Sequence, residues 1–170
     1  MTELDEFRLA KDHFFAHDAQ SPLTVRQRQA FEGLRYFSEN PELRVEVLPE
    51  RVGEGGPVEM QTSTGDALVY TRVGRFRFEV DGQKAELTIY EGSNGLFLPF
   101  VDALAGEETY PAGRYLEPQP LPGGRFLVDF NFAYNPYCAY NSQWSCPLTP
   151  FENRLKVAVR AGEKLFHQSH

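Results

Sequence analysis

Hydrophobic and polar positions alternate along most of this chain, and only its beginning follows a helical period. Leu4, Phe7, Ala10 and Phe14 recur at spacings of three and four, with Glu3, Asp5, Lys11 and Asp12 between them. That pattern predicts an amphipathic helix of about three turns, with Thr2 as its N-cap. Ser21-Pro22 marks a turn, and residues 24–32 suit a second short helix leading into Phe31-Glu32-Gly33-Leu34-Arg35-Tyr36-Phe37. After Asn40-Pro41 the period drops to two. Leu43, Val45 and Val47 point one way, and Arg44, Glu46 and Leu48 the other. Residues 50–57 (RVGEGGPV) read as a mobile loop, Val58–Thr62 as another strand, and Ser63-Thr64-Gly65-Asp66 as a turn.

The clearest local signal lies at 67–90. Leu68, Tyr70, Phe76, Phe78 and Val80 alternate with polar residues up to Asp81-Gly82, which suits a two-residue type I′ turn. Ala85, Leu87 and Ile89 continue the return strand. Gly74 interrupts the first strand, as a bulge would. Further strands are expected at 95–101, on both sides of a turn within 107–116, at 125–132, and at 155–160 before Ala161-Gly162. Pro118, Pro120, Pro122, Gly123 and Gly124 form a loop. Many short strands with frequent turns predict a mainly β, β-rich α+β fold: an antiparallel barrel or sandwich with the N-terminal helix packed on it.

A chain of 170 residues fits one domain. It divides into an N-terminal helical segment (1–37), a β-rich core (42–162) containing a motif loop (129–153), and a tail (163–170) that is given no role. Its 14 Phe and 8 Tyr favour sheets, because aromatic side chains pack well across strands. The net charge of −7 argues against nucleic acid, since no Lys/Arg cluster exists beyond the neighbours Arg26 and Arg28. It argues equally against an anionic membrane surface. No apolar run approaches the roughly 18–20 residues that span a bilayer. The N-terminus lacks the features of a secretory signal. A cytoplasmic location is therefore expected, with oligomeric state open and the cysteines normally reduced.

The stretch Asp129–Asn153, DFNFAYNPYCAYNSQWSCPLTPFEN, differs from the rest of the chain. It holds both cysteines, the only tryptophan, four asparagines and three tyrosines. Loops of that length in compact domains are commonly functional. Together with ETYPAGRYL at 108–116 and AGE at 161–163, it resembles the prokaryotic domain of unknown function 1684 family. FRLAKDHFFAHDAQSPL and FEGLRYF resemble that family's N-terminal portion, so the likeness covers nearly the whole chain. Thr149 stands where the family's CPLPP element has a second proline, and VDALAG at 101–106 is a loose version of the family's segment. The resemblance implies a shared site but no assigned reaction.

Aromatic walls with a few convergent amides describe a small-molecule pocket. The residues expected to line one are Tyr110, Arg114, Asn131, Tyr134, Asn135, Tyr137 and Cys138, followed by Tyr140, Asn141, Trp144, Cys146, Glu152 and Asn153. Taken singly, the tyrosines and Trp144 also suit a core, and the asparagines suit turns. The local carboxylates are Glu107, Glu108, Asp129, Glu152 and Glu163. Glu108 and Asp129 are the candidates for general acid–base chemistry should the protein be a hydrolase. A strand at 125–132 would aim Asp129 and Asn131 together, opposite Phe130 and Phe132. With Arg114 and Glu108 they could line a polar lumen, or Arg114 could form an ordinary ion pair with one of the acids.

Cys138 and Cys146 enclose seven residues, so a disulfide worth about 2–3 kcal/mol is feasible. Two inert thiols fit equally. Neither a CxxC pair nor a nearby His supports zinc, because the histidines are His13, His17, His167 and His170. No metal or cofactor is expected. The preferred expectation is a small-molecule-binding domain; the alternatives are a carboxylate-dependent hydrolase and a non-catalytic structural or interaction protein.

Overall fold

The computed structural model describes residues 1–51 and 56–166. The centre of the expected 50–57 loop and the end of the tail, with His167 and His170, lie outside the described residues. Two helices, α1 (Glu3–His17) and α2 (Val25–Ala30), precede eight strands. These are β1 (Arg44–Val47), β2 (Pro57–Gln61), β3 (Ala67–Val80) and β4 (Gln83–Gly92), then β5 (Gly95–Phe100), β6 (Arg114–Leu116), β7 (Gln119–Pro120) and β8 (Phe126–Asp129). They form a five-stranded sheet in the order β2-β3-β4-β5-β6 and a three-stranded sheet in the order β1-β8-β7, with every pairing antiparallel. The arrangement is sandwich-like. The sheets do not close on themselves, so the barrel alternative and its lumen are overturned.

Two faces of the large sheet are buried by different partners. On one face Phe76, Phe78, Leu87, Ile89, Leu98 and Phe100 meet Leu43, Val47, Val128 and Phe130 of the small-sheet side, forming the main core. On the other, Met60, Tyr90, Phe97 and Tyr115 meet Cys146, with Tyr134, Tyr137 and Cys138 packed alongside. One bulge assigns β3 to both faces. Arg72 pairs with Tyr90 but Gly74 pairs with Ile89, leaving Val73 as the extra residue. An extra residue reverses the alternation. Tyr70 and Arg72 therefore share the face of Tyr90, while Phe76, Phe78 and Val80 face the main core. Residues 70 and 76 have the same parity in sequence but opposite faces in the sheet. The turn at the hairpin tip is as expected, with Asp81 at φ 51° and Gly82 at φ 79°.

Helix α1 starts at a capping box between Thr2 and Asp5. Its inward face is rotated from the expected one. Leu4 and Phe15 are buried, Arg8 and Lys11 are half-buried between them, and Ala10 is exposed. The rotation follows from the partners: Lys11 reaches the buried carboxylate of Glu163, and Arg8 lies 4.4 Å above the Tyr36 ring. Long basic side chains bury their stems where their charged ends find such partners.

Three expected strands are shorter or absent. In 107–116 only Arg114–Leu116 is strand. The strand at 125–132 stops at Asp129, whose carboxylate accepts the Asn131 N–H at 3.0 Å and caps a 3-10 turn over Phe130–Phe132. Residues 155–160 form no strand. They follow 101–103 through Leu155 N–H to Val101 O (2.7 Å) and Ala103 N–H to Val157 O (2.9 Å). From 158 to 161 side chains replace the ladder. The Val159 N–H donates to Asp102 at 2.8 Å, and the carbonyls of Val159, Ala161 and Glu163 accept from Arg114.

Candidate functional site

Most of the 129–153 segment is fastened to the fold by its own polar groups. The Asn131 amide makes a two-way clamp with the backbone of Asn40, accepting at 2.8 Å and donating at 2.9 Å. Asn131 also donates to Asp129, which stands 3.6 Å from Arg44. Tyr134 exchanges both backbone hydrogen bonds with Tyr115 of β6. Asn153, fully buried, accepts from Thr88 N–H at 2.9 Å and donates to the carbonyls of Thr88 and Pro99. Its three hydrogen bonds join β4 to β5 and leave little capacity for a ligand. Asn141 caps the turn at Gln143, and Trp144 donates to Pro22 O at 3.2 Å while packing edge-on against Tyr137.

Asn135 and Tyr140 converge on a residue outside the expected set. The carboxylate of Glu163, fully buried, accepts from the Asn135 backbone (3.2 Å) and side chain (3.3 Å), from the Tyr140 hydroxyl, and from Lys11 at 2.8 Å. Burial beside this carboxylate pushes the Tyr140 hydroxyl well above its usual range. Glu163 thus ties α1, the motif segment and the chain end together.

Arg114 and the ETYPAGRYL segment serve a second buried acid, Asp102. Thr109 donates to Asp102 at 2.7 Å, and Arg114 lies 3.7 Å from its other oxygen. Burial pulls the Arg114 guanidinium down to about 10, with Asp102 and Glu163 opposing that shift. Gly113 carries φ 104°, and a Cβ there would lie 2.6 Å from Phe100 O. Gly162 carries φ 79°, and its Cβ would meet Phe130 O at 2.7 Å. At the glycines of PAGRY and AGE the backbone passes too close to its neighbours to admit a side chain.

Of the expected lumen residues only Asp129 and Asn131 come together, and the others lie apart from them and from each other. Arg114 is buried with Asp102; Glu108 pairs with Arg160 at 2.5 Å on the surface; Asp129 pairs with Arg44. Glu152 belongs to a further cluster, with Arg72 at 3.0 Å, Arg75 at 4.0 Å and a hydrogen bond from the Tyr90 hydroxyl. Although partial burial raises it, those donors hold the Glu152 carboxyl below its ordinary range.

Two cavities adjoin these residues. An open groove of about 700 Å³ runs between the β3–β4 hairpin and residues 152–157. Its walls carry mixed charge, with Arg77, Lys84, Arg154 and Lys156 against Glu79, Glu86 and Glu152. A more enclosed cleft of about 350 Å³ lies where the motif segment leaves β8. Phe7, Leu116, Leu127 and Phe132 supply its apolar surface, and Glu3, Glu117 and Asp129 its carboxylates. Arg44 and Tyr134 also line it, and the Tyr134 hydroxyl donates to Glu117.

The cysteines are both free thiols, Cys146 buried and Cys138 half-buried. The Cys138 N–H points to the Cys146 sulfur at 3.3 Å, and the Tyr110 hydroxyl to the Cys138 sulfur at 3.8 Å. No disulfide joins them in this structure. Among the described residues no group of three or more His, Cys, Asp or Glu could hold a metal ion, and no helix is long and apolar enough to cross a membrane.

Sequence reasoning passed over Asp102, Glu117 and Ser63, and counted Glu163 only among nearby acids. A signal existed for two of them. Asp102 and Glu163 each adjoin small or apolar residues, Val101-Asp102-Ala103 and Ala161-Gly162-Glu163, where a solvated acid has no evident purpose.

No curated protein matches the chain. It is similar to the uncharacterized protein from gene locus rrnAC0354 of Haloarcula marismortui, solved by solution NMR. The two share 38% sequence identity and a TM-score of 0.71, over 95% of this chain and 92% of that one. The family described as protein of unknown function (DUF1684) matches residues 29–164, which include both buried acids, the asparagine clamps and the cysteine pair. The chain belongs to the DUF1684 family.

Proposed function

We propose that the protein binds a small organic cation, an amine with an apolar body, in the cleft between α1, β8 and the start of the motif segment. The observation that carries this reading is the make-up of the cleft wall. Three carboxylates, Glu3, Glu117 and Asp129, stand around four apolar side chains, and the one guanidinium, Arg44, already faces Asp129. The cleft thus keeps an excess of negative charge beside a surface that prefers a hydrocarbon or ring. Such a mixture selects amphipathic cations over anions and over purely polar solutes. Tyr134 supplies an aromatic edge whose hydroxyl fixes Glu117 in place. The aromatic and amide residues deeper in the motif hold the segment that forms one side of the cleft.

Calorimetric titration with tyramine, using N-acetyltyramine as its uncharged counterpart, tests the reading. Tyramine is expected to bind, its acetylated form to bind at least about tenfold more weakly, and Glu117→Gln to weaken tyramine by a similar factor. Equal binding of both compounds, or binding of neither, would overturn it.

A further inference from the structure

We propose that Cys138 and Cys146 form a reactive dithiol that reduces hydroperoxides, with Cys138 as the sulfur attacked first and Cys146 as the sulfur that resolves it to a disulfide. The site is separate from the acidic cleft. Four observations carry the inference. The Cys146 sulfur already sits against Cys138, whose backbone N–H points to it at 3.3 Å. Their accessibilities differ in the required sense, Cys138 being half-buried and Cys146 only 7% exposed.

The surroundings of Cys138 favour an anion. The Tyr110 hydroxyl points to its sulfur, as does the Cys146 thiol, and the Ser63 side chain lies beside it. These donors pull the Cys138 thiol down to about 6, whereas the neighbouring Cys138 sulfur and then burial push Cys146 far up. Low-pKa, partly accessible thiols are the ones that react. The chain between them is also closed at its end: Ser63 donates to Cys146 O at 2.9 Å, and the Cys146 N–H donates to the Ser63 hydroxyl at 3.1 Å. These bonds to Ser63 hold the end of the short loop on which both thiols sit.

The Cys138 thiolate attacks one oxygen of a hydroperoxide ROOH, the O–O bond breaks, and RO⁻ leaves as ROH after taking a proton. Cys138 is oxidised to a sulfenic acid while the peroxide is reduced. The Cys146 sulfur then attacks the Cys138 sulfur. The S–O bond breaks, the S–S bond forms, and the leaving hydroxide takes the Cys146 proton as water. Two thiols and one peroxide give one disulfide, one alcohol and one water. An external thiol restores the dithiol by exchange.

The experiment uses the full chain, reduced and freed of reductant, with one equivalent of hydrogen peroxide. Intact mass spectrometry is expected to show the loss of two hydrogens, and peptide mapping a Cys138–Cys146 link. In Cys146→Ser, dimedone is expected to trap a sulfenic acid on Cys138; in Cys138→Ser, no adduct should form on Cys146. Peptide-mapped alkylation of the unaltered protein provides a reading independent of the variants. At neutral pH iodoacetamide should label Cys138 at least about tenfold faster than Cys146. An unchanged mass after peroxide treatment, or preferential labelling of Cys146, would overturn the proposal.

Discussion

Arg114 and Asp102 face each other at 3.7 Å with both side chains about 1% exposed. Neither charge meets solvent, and each is held by further bonds. Arg114 donates to three carbonyls in 159–163, and Asp102 accepts from Thr109 and Val159. The pair stands in for the missing strand ladder, because it fixes the extended chain end against the sheet.

Removing one partner leaves the other buried and unpaired. Arg114→Met is expected to destabilise the protein by about 3–5 kcal/mol, read as a fall in the urea midpoint with an unchanged slope. The double variant Arg114→Met/Asp102→Leu should recover part of that loss, since the stranded carboxylate is gone. A single substitution costing less than about 1 kcal/mol would show that the pair does not anchor the chain end.

The Glu163 hub makes a graded prediction. Lys11 sits at its edge with a side chain 15% exposed, while the Glu163 side chain is 1% exposed. Lys11→Met leaves a carboxylate that still accepts from Asn135 and Tyr140, so about 1–2 kcal/mol is expected. Glu163→Gln removes the charge that Lys11 faces and turns an acceptor into a donor. It should cost roughly 3 kcal/mol and raise hydrogen exchange in α1. Equal costs for the two substitutions would contradict the hub.

Gly113 tests whether PAGRY is written for geometry. An alanine there must adopt φ 104° with its Cβ 2.6 Å from Phe100 O and 2.8 Å from Thr149 Oγ1. Strain and overlap together should cost about 2–4 kcal/mol. Gly82→Ala has no neighbour to strike, so the difference in thermal midpoint between the two variants isolates the overlap from the positive φ.

What could be read from the chain differed by element. The β3–β4 hairpin was legible because alternation and Asp81-Gly82 are local signals. The face switch inside β3 was not, since Gly74 announces a bulge without saying which residue is extra. The strand expected at 155–160 has the right apolar alternation, but Asp102 and Arg114, distant in sequence, take its hydrogen bonds. In the motif, the density of asparagines and tyrosines was visible, whereas their use was not. Asn153 is spent on the backbone of two strands, Asn131 on Asn40 and Asp129, and Asn135 on Glu163 and Lys164. An amide that clamps backbone and one that grips a ligand look alike in sequence, because both are defined by partners that folding brings up.

The thiol pair makes both the reactivity and the stability of the protein depend on pH. Cys138 is drawn from 9.0 down to about 6 by the Cys146 thiol and the Tyr110 hydroxyl. Only the thiolate is alkylated, so the Cys138 rate should rise with a midpoint near pH 6. Tyr110→Phe removes one donor and should move that midpoint upward while leaving the plateau rate little changed. The same shift bears on stability. A folded pKa below the unfolded one means that the unfolded chain binds more protons between about pH 6 and 9, so this group's contribution grows across that window and is lost as pH falls through about 6. Cys138→Ser should therefore flatten the rise in stability between pH 6 and 9, measured by urea titration under reducing conditions. A midpoint near 9 for the unaltered protein would show that the donors do not hold a thiolate and would remove the basis for peroxide chemistry at neutral pH.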